Sequence, residues 1–461
     1  MKASTGRWED RSLASCLHGF SHLGTLRDEG PLIVERGEGI YVYDTHNKRY
    51  IEGNSGLWNI VAGFNNKTLI EAGYEQLCRF PAYHTFFGRN NEPAILLAEQ
   101  LLSIAPVPMS KVFFTNSGSE ANDSVVKMLW MIHRGLGQPE RRKLISRKNG
   151  YHGTTVMAAS LTGKDYNRAF GLPLDCVHFA DCPHYWRYAK PGESESNYVQ
   201  RLVTNLAQLI EAEGPDTIAG FFAEPVMGAG GVVPPPEGYF SAIQAILRKY
   251  DIPFVADEVI CGFGRTGKLW GCLTYDIEPD IVVVSKCLTA GYYPMGAILL
   301  SEEMHAKLMQ ACQEFEEFPH GFTGGGNPVG CAIANKALEL IIEGGLFDNV
   351  VAVAPRFQQR LRGLSDHPMV GEARGVGLMG ALEIVEDKRT KAPYAAPLEV
   401  SEQIAKTALQ HGLIIRPIGD AVILAPPFII TREQIDELFD IVDAVLDAVQ
   451  DRVEQDRSAA E

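Results

Sequence analysis

Three short segments carry residue types whose placement could do chemistry. The first is Thr115-Asn116-Ser117-Gly118-Ser119-Glu120-Ala121-Asn122-Asp123, where an apolar run ends, small residues turn, and an apolar-periodic helix begins. A helix start offers free backbone N–H groups, here beside serine hydroxyls, and suits an anion such as phosphate. Ordinary N-capping by serine and asparagine would use the same residues. The second is Phe254-Val255-Ala256-Asp257-Glu258-Val259, an acidic pair closing an apolar run. An aspartate there can pair with a cationic ring nitrogen in a low-dielectric site. A cap on the next turn, or a ligand to Mg²⁺, would explain it too. The third is Ile281-Val282-Val283-Val284-Ser285-Lys286. Burying an ammonium is costly, and desolvation lowers its pKa and makes it a nucleophile toward carbonyls. A lysine that snorkels to solvent has neither property.

Together the segments supply a phosphate cradle, a strand-end aspartate and a strand-end lysine. Pyridoxal phosphate requires those three things. The phosphate anchors it, Asp257 would keep its ring nitrogen protonated so that the ring accepts electrons, and Lys286 would hold its carbonyl carbon and move a proton.

Such residues need a frame. Between residues 111 and 301, short β-rich runs alternate with helical patterns. The expected strands are Lys111–Phe114, Lys143–Ser146, Ile218–Ala223, Pro253–Ala256, Ile281–Val284 and Ala297–Leu300, with helices over Asn197–Glu213 and Gly238–Tyr250. That alternation predicts an α/β domain around a mostly parallel sheet, whose ligands sit at the carboxyl ends of strands. The flanks read differently. Leu32–Glu35, Tyr41–Asp44 and Tyr50–Ile51 look like short antiparallel strands. Residues 331–461 give two long helical patterns, strands at Val376–Glu383, Leu413–Arg416 and Ala421–Leu424, and a closing helix, Arg432–Val449. The expected division is residues 1–65 and 331–461 as the two parts of a smaller α+β domain, and 66–330 as the large, cofactor-binding one.

Composition excludes several classes. With 42 basic residues against 57 acids, net −15 and no basic patch, nucleic acid is not an expected partner. Nine scattered cysteines do not make a disulfide framework. Cys176, His178, Cys182 and His184 come nearest to a metal pattern, but no second half completes it, and no metal is expected. The opening MKASTGRWEDRSL has no apolar run, so no signal peptide is expected, and no stretch is long and apolar enough for a membrane span. The expectation is a reduced, cytoplasmic protein.

At this point the sequence resembles a known family, the class III, or omega, aminotransferases of the fold-type I pyridoxal-phosphate enzymes. The matching segments are NSGSEAND at 116–123, NGYHGTT at 149–155, AEPVMGAGGVVPP at 223–235, ADEVICGFGRTG at 256–267, SKCLTAGYYPMGA at 285–297 and HGFTGGGNPVGCA at 320–332. SGLWNIVAGF at 55–64, YHTFFGR at 83–89, CPHYWRY at 182–188 and IIRPIGDAVILAPPFIIT at 414–431 are similar to the amine–pyruvate branch.

The resemblance implies a fold and roles. The fold is a fold-type I large domain with a small domain from both termini. Ser117, Gly118 and Ser119 would hold the phosphate. Tyr151 would stack on the ring, Val259 would press its other face, and His152 and Glu224 would stand close by. Asp257 would pair with the ring nitrogen, and Lys286 would be the attachment point. Thr323 would reach the phosphate of the other subunit's cofactor, making a homodimer with active sites at the interface. Phe20, Trp58, Phe86 and Tyr151 would line the amine pocket. Arg416 would swing in for the carboxylate of pyruvate or alanine and out for an apolar amine. Physical reasons agree: arginine clamps a carboxylate with two hydrogen bonds, and aromatic walls bury apolar groups. Plain core packing of Trp58 and Phe86, and a structural ion pair at Arg416, compete with those roles.

The implied reaction is ping-pong transamination from a primary amine to pyruvate, giving a ketone or aldehyde and L-alanine. β-Alanine, taurine, a diamine or a long-chain amine are alternative donors. A lyase, decarboxylase or aminomutase on the same scaffold, and a non-catalytic cofactor-binding protein, stand behind them. Departures from the family are Met227 where many relatives carry glutamine, Asn327 where histidine is common, Thr154 where a pocket valine is expected, and a looser Gly324-Gly325-Gly326 turn. Cys287 reads as a packing residue.

Overall fold

A computed structural model describes residues 6–395 and 397–460 of the chain. Met1–Thr5, the beginning of the segment expected to carry no signal peptide, lie outside the described residues, as do Ala396 and Glu461. The strands in chain order are β1 (Val34–Glu38), β2 (Tyr41–Asp44), β3 (Arg49–Glu52), β4 (Lys111–Thr115), β5 (Lys143–Arg147), β6 (Val177–Ala180), β7 (Ile218–Ala223), β8 (Phe254–Asp257), β9 (Ile281–Val284), β10 (Gly296–Leu300), β11 (Val370–Val376), β12 (Met379–Ile384), β13 (Leu413–Ile414), β14 (Arg416–Ile418) and β15 (Ala421–Leu424).

The central sheet has the order β4-β10-β9-β8-β7-β5-β6. Strands β9, β8, β7, β5 and β6 pair in parallel, and β10 runs antiparallel to both β9 and β4. Only β10 is reversed, so β4, β5, β7, β8 and β9 all end on one edge. The middle strands are apolar throughout because helices cover both faces of such a sheet; every residue of β7, β8 and β9 is buried. Each fully buried valine of β9 contributes about 1.5–3 kcal/mol by leaving water. That burial makes the edge at which these strands end a rigid one.

Two four-stranded sheets flank it. One has the order β1-β2-β3-β13, the other β11-β12-β15-β14. β13 pairs in parallel with β3, so the two ends of the chain meet in one sheet. Two expected strands are in fact split. Val376–Glu383 is a hairpin that turns at Gly377, whose φ of 57° is the left-handed conformation glycine tolerates. Leu413–Arg416 breaks at Ile415: β13 stays with β3 while β14 pairs with β15. Arg416 therefore stands where the chain passes from one sheet to another. The strand β6, which carries His178, is not among the expected strands. The closing helix runs to Ala460, beyond the expected end at Val449.

Candidate active site

The edge at which β4, β5, β7, β8 and β9 end is a cleft lined by Gly118, Ser119, Tyr151, His152, Gly153, Glu224, Asp257, Val259, Ile260, Ser285 and Lys286. The three chemistry-bearing segments thus converge, as ligand sites in open α/β sheets do.

Helix Gly118–Gly135 starts directly after β4 and points its amino end at the cleft. Ser117 is its N-cap and accepts from the Glu120 N–H at 3.1 Å, while Glu120 accepts from the Asn116 N–H at 2.7 Å. Ser117 thus caps the helix and is not among the residues lining the cleft; Gly118 and Ser119 are. A Cβ on Gly118 would stand 2.9 Å from Val259 Cγ2 and 3.5 Å from Ser285 Cβ, so only glycine lets the helix start approach the ends of β8 and β9. Gly153 is equally constrained, since a Cβ there would lie 2.5 Å from Ser119 Oγ. Ser119 Oγ accepts from the Thr154 N–H at 3.1 Å, which keeps its hydroxyl hydrogen available to a ligand.

Asp257, 3% exposed, is held on both oxygens. Oδ2 accepts from Asn122 Nδ2 at 2.9 Å and faces His152 Nδ1 at 2.8 Å, and Oδ1 accepts from the Val259 N–H at 3.1 Å. A carboxylate has about four acceptor positions, and these contacts leave one on Oδ1. Its neighbour Glu258 has a different task. Both of its oxygens accept backbone N–H groups, of Gly271 at 3.0 Å and Cys272 at 2.6 Å, and burial pushes its carboxyl up to about 7. The acidic pair is one site residue and one internal cap. Glu224 is buried, accepts from the N–H groups of Tyr151 (3.0 Å) and Gly228 (2.8 Å), and is pushed up by that burial.

Lys286 follows β9 across Ser285 and opens the turn Lys286–Thr289 with a φ of 30°, a strained value for a side-chain-bearing residue. Its ammonium has no hydrogen-bond partner among the described residues. Burial holds it below the usual lysine range, and nearby Asp257 offsets part of that effect. Tyr151 is part-buried beside it, and burial pushes its hydroxyl up.

Arg416 is part-buried at the start of β14, within electrostatic reach of Tyr151, Tyr166 and Lys286. Among the described residues it forms no salt bridge. The acids of its own sheet are engaged elsewhere. Arg374 bridges Glu372 at 2.8 Å and Glu383 at 2.6 Å, and Arg187 bridges Glu383 and, at 3.6 Å, Asp420. The structural ion pair weighed for Arg416 is thus absent among the described residues, and burial holds its guanidinium below the usual arginine range.

Other expected residues lie apart from the cleft. Trp58 is 1% exposed and packs in one cluster with Val226, Val232 and the cleft residue Ile260. Phe20 is exposed and meets Tyr166 edge-on at 5.8 Å. Phe86 packs on Gly321, and Thr85 Oγ1 donates to the Gly325 carbonyl at 3.3 Å. The Phe86 segment and the Thr323 turn therefore form one surface, with Thr323 exposed. The glycine run is not loose: a Cβ at Gly324 would meet Asn116 Oδ1 at 2.5 Å, and one at Gly325 the Phe114 carbonyl at 2.8 Å. Asn327 caps helix Pro328–Ile342 by accepting from the Val329 and Gly330 N–H groups. Met227 packs with Cys182 and Val233, Thr154 is exposed, and the Cys287 thiol donates to the Trp58 carbonyl at 3.5 Å.

The metal-like spacing comes apart. His178 faces Glu213, His184 faces Glu372, and the Cys182 thiol meets Met227 Sδ. His184, Glu372 and Glu383 do lie together, but the guanidinium of Arg374 bridges both acids. Sequence reasoning missed Asn122, although it stands four residues after Gly118 and so on the same helix face. It also missed Gly153, Ile260 and Ser285, which become visible only when the strand ends are brought together.

Comparison with known proteins places this geometry in a known setting. The family model for class-III aminotransferases matches residues 25–446. A PMP-bound aminotransferase from Vibrio fluvialis is 53% identical, with a TM-score of 0.95 over 97% of this chain and 99% of that one. An omega-aminotransferase from Paracoccus denitrificans is also 53% identical, with a TM-score of 0.96 over 97% and 100%. Gamma aminobutyrate transaminase 2 of Solanum lycopersicum is 44% identical over 433 residues, 94% of each chain.

Proposed function

This chain belongs to the class-III aminotransferases, fold-type I enzymes that use pyridoxal 5'-phosphate, and from that premise we propose that it carries an amino group from an apolar primary amine to pyruvate. The products are a ketone or aldehyde and L-alanine. The observation that carries this reading is the part-buried Arg416, without a salt bridge among the described residues and within electrostatic reach of Tyr151 and Lys286 of a cleft whose residue Ile260 packs in one apolar cluster with Trp58.

The residues present fit the cofactor. The glycine-only approach of the helix start at Gly118 leaves room for a phosphate against the Gly118 and Ser119 N–H groups and the Ser119 hydroxyl. The free acceptor position of Asp257 Oδ1 suits a protonated ring nitrogen. Tyr151 and Val259 would cover the two ring faces, and Lys286 is the free amine that would hold the carbonyl carbon. When bound, pyridoxal phosphate supplies that carbon for uptake of the amine and a ring that accepts the electrons of the breaking C–H bond. Nζ of Lys286 would carry the proton from the amine-bearing carbon of the donor to the cofactor's former carbonyl carbon, and in the second half-reaction would carry one back the other way, to the carbonyl carbon of pyruvate. Burial, which holds its proton affinity below the usual lysine range, favours the free amine that the proton transfer needs. His152 and Asn122 hold Asp257 in place. Arg416 binds the carboxylate of pyruvate or alanine and withdraws for an apolar amine.

The test is to follow the two half-reactions separately by stopped-flow absorbance. A buried carboxylate that loses its charged partner costs about 3–5 kcal/mol. Arg416→Ala should therefore weaken the pyruvate half-reaction by about 10²- to 10³-fold or more and leave the amine half-reaction much less affected. Equal loss in both would make Arg416 structural. A second reading, a donor that itself bears a distal carboxylate, draws on the tomato relative's name. A donor screen with pyruvate separates the two.

The active unit is read as a homodimer with shared sites. Thr323 is exposed and outside its own chain's cleft. Helix Lys67–Arg79 presents exposed Ile70, Tyr74 and Leu77 at helical spacing, and Phe87 is 82% exposed; exposed apolar faces of this kind mark association surfaces. Thr323→Ala should weaken cofactor retention in dialysis. An active, cofactor-saturated monomer in sedimentation would contradict the shared site. No helix among the described residues is long and apolar enough to cross a membrane.

A further inference from the structure

The turn that carries Trp58 is joined directly to the backbone of Arg416. Asn54, 3% exposed, follows β3 by two residues. Its backbone N–H donates to Glu52 Oε1 at 2.9 Å. Its side-chain amide lies between the Ile423 carbonyl and the Arg416 N–H, and the orientation that satisfies both has Nδ2 donating to the Ile423 carbonyl at 3.0 Å and Oδ1 accepting from the Arg416 N–H at 2.8 Å. Arg416 and Ile423 are register partners on β14 and β15. A side-chain amide offers one donor face and one acceptor face, like a peptide group. Asn54 thus bridges the two strands at the residue pair where their ladder begins.

That place has a mechanical meaning. At Ile415 the chain leaves the sheet of β3 and enters the sheet of β15, so the backbone there needs an anchor from outside its own ladder. Asn54 supplies one, and it stands at the head of a tightly held turn. Ser55, Gly56 and Trp58 have φ values of 50°, 64° and 70°. Ser55 Oγ donates to the Ala425 carbonyl at 2.7 Å and accepts from Arg265 Nη2 at 3.2 Å. The Trp58 carbonyl accepts from the thiol of Cys287, next to Lys286. Positive φ at side-chain-bearing residues persists only where surroundings over-determine it, and here every such residue is tied to β15, to Arg265 or to the lysine turn.

We infer that Asn54 is a positioning residue for carboxylate recognition: it fixes the backbone pivot of Arg416 at the start of β14, while the turn of Trp58 keeps its own ties through Ser55 and Cys287. The inference rests on the reading of Arg416 as the carboxylate clamp. A pivot freed by breaking the bridge lets the guanidinium sample positions off the carboxylate, and an apolar amine, which needs the arginine withdrawn, does not sense this.

The experiment is a mutant cycle on the holoenzyme. Loss of one buried hydrogen-bond bridge corresponds to on the order of a tenfold effect. Asn54→Ala should raise KM for pyruvate by about that factor with kcat retained, and leave the amine half-reaction near its wild-type rate. In the Arg416→Ala background the same change should add no further loss to the pyruvate half-reaction, because the two act through one group. Asn54→Asp, which keeps the volume but turns an acceptor toward the Ile423 carbonyl, should show the same selective loss and guards against a folding defect in the alanine variant. Unchanged pyruvate KM in both variants, equal loss in both half-reactions, or full additivity with Arg416→Ala overturns the inference while leaving the clamp standing. Absence of a selective effect in Arg416→Ala alone overturns the clamp, and this inference with it.

Discussion

Replacing Lys286 by alanine should abolish transamination and, with it, covalent retention of the cofactor. Proton transfer by a positioned side chain is worth about 10²–10⁴-fold, and Lys286 would also be the attachment point, so turnover should fall by about the upper end of that range or beyond. Three features single out this lysine. It stands two residues after the last residue of a strand whose four residues are all buried, its φ of 30° is retained against strain, and its ammonium has no hydrogen-bond partner among the described residues. Lys164 provides an internal control. Burial also holds it below the usual lysine range, but its ammonium donates to Asn149 Oδ1. A lysine occupied in this way is a poorer nucleophile than a free one. Borohydride reduction of the loaded enzyme followed by peptide mapping should therefore place the pyridoxyl group on Lys286. The alanine variant should bind cofactor only reversibly, through the cradle at Gly118 and Ser119. Label on Lys164, or turnover surviving in Lys286→Ala, would remove the assignment.

The convergence of Gly118, Asp257 and Lys286 was legible because each chemical group sits at the end of an apolar run. Strand ends on one edge follow from parallel pairing, so Ile218–Ala223 and Ile281–Val284 could be read to the residue. Contacts across the sheet were not legible. Nothing in the spacing of Asn122, His152 and Asp257 says that the first two meet the third, since they lie 135 and 105 residues from it and are joined only by the strand order. The break at Ile415 was missed for a similar reason. Leu413, Ile414 and Ile415 continue one apolar pattern, and the change of sheet is decided by which partner strand, β3 or β15, offers its edge. Asp257 and Glu258 look equivalent in sequence, yet opposite side-chain directions along a strand end send one to the cleft and the other to the N–H groups of Gly271 and Cys272.

That difference between the two acids makes Asp257→Asn the sharper test of the electronic role. In the native arrangement Oδ2 serves Asn122 and His152, and Oδ1 serves the Val259 N–H with one acceptor position to spare. An asparagine of the same shape must put its NH₂ on one side. Toward Asn122 it sets two donors against each other. Toward Val259 it turns a donor to the place where a protonated ring nitrogen would sit. Either way the negative charge is gone, and with it the force that keeps the ring nitrogen protonated. Loss of one preorganised electrostatic partner in a buried site costs about 10²–10³-fold in turnover. The cofactor should stay largely bound, because the Gly118 and Ser119 N–H groups and the Ser119 hydroxyl are not among the partners of Asp257, which are Asn122, His152 and the Val259 N–H. The measurement pairs turnover with cofactor stoichiometry in the same preparation. Low turnover at full loading supports the pairing of Asp257 with the ring. Near-normal turnover at full loading would show that Asp257 serves Asn122, His152 and the Val259 turn and nothing else. Low turnover with an empty site would move its role from electronics to retention.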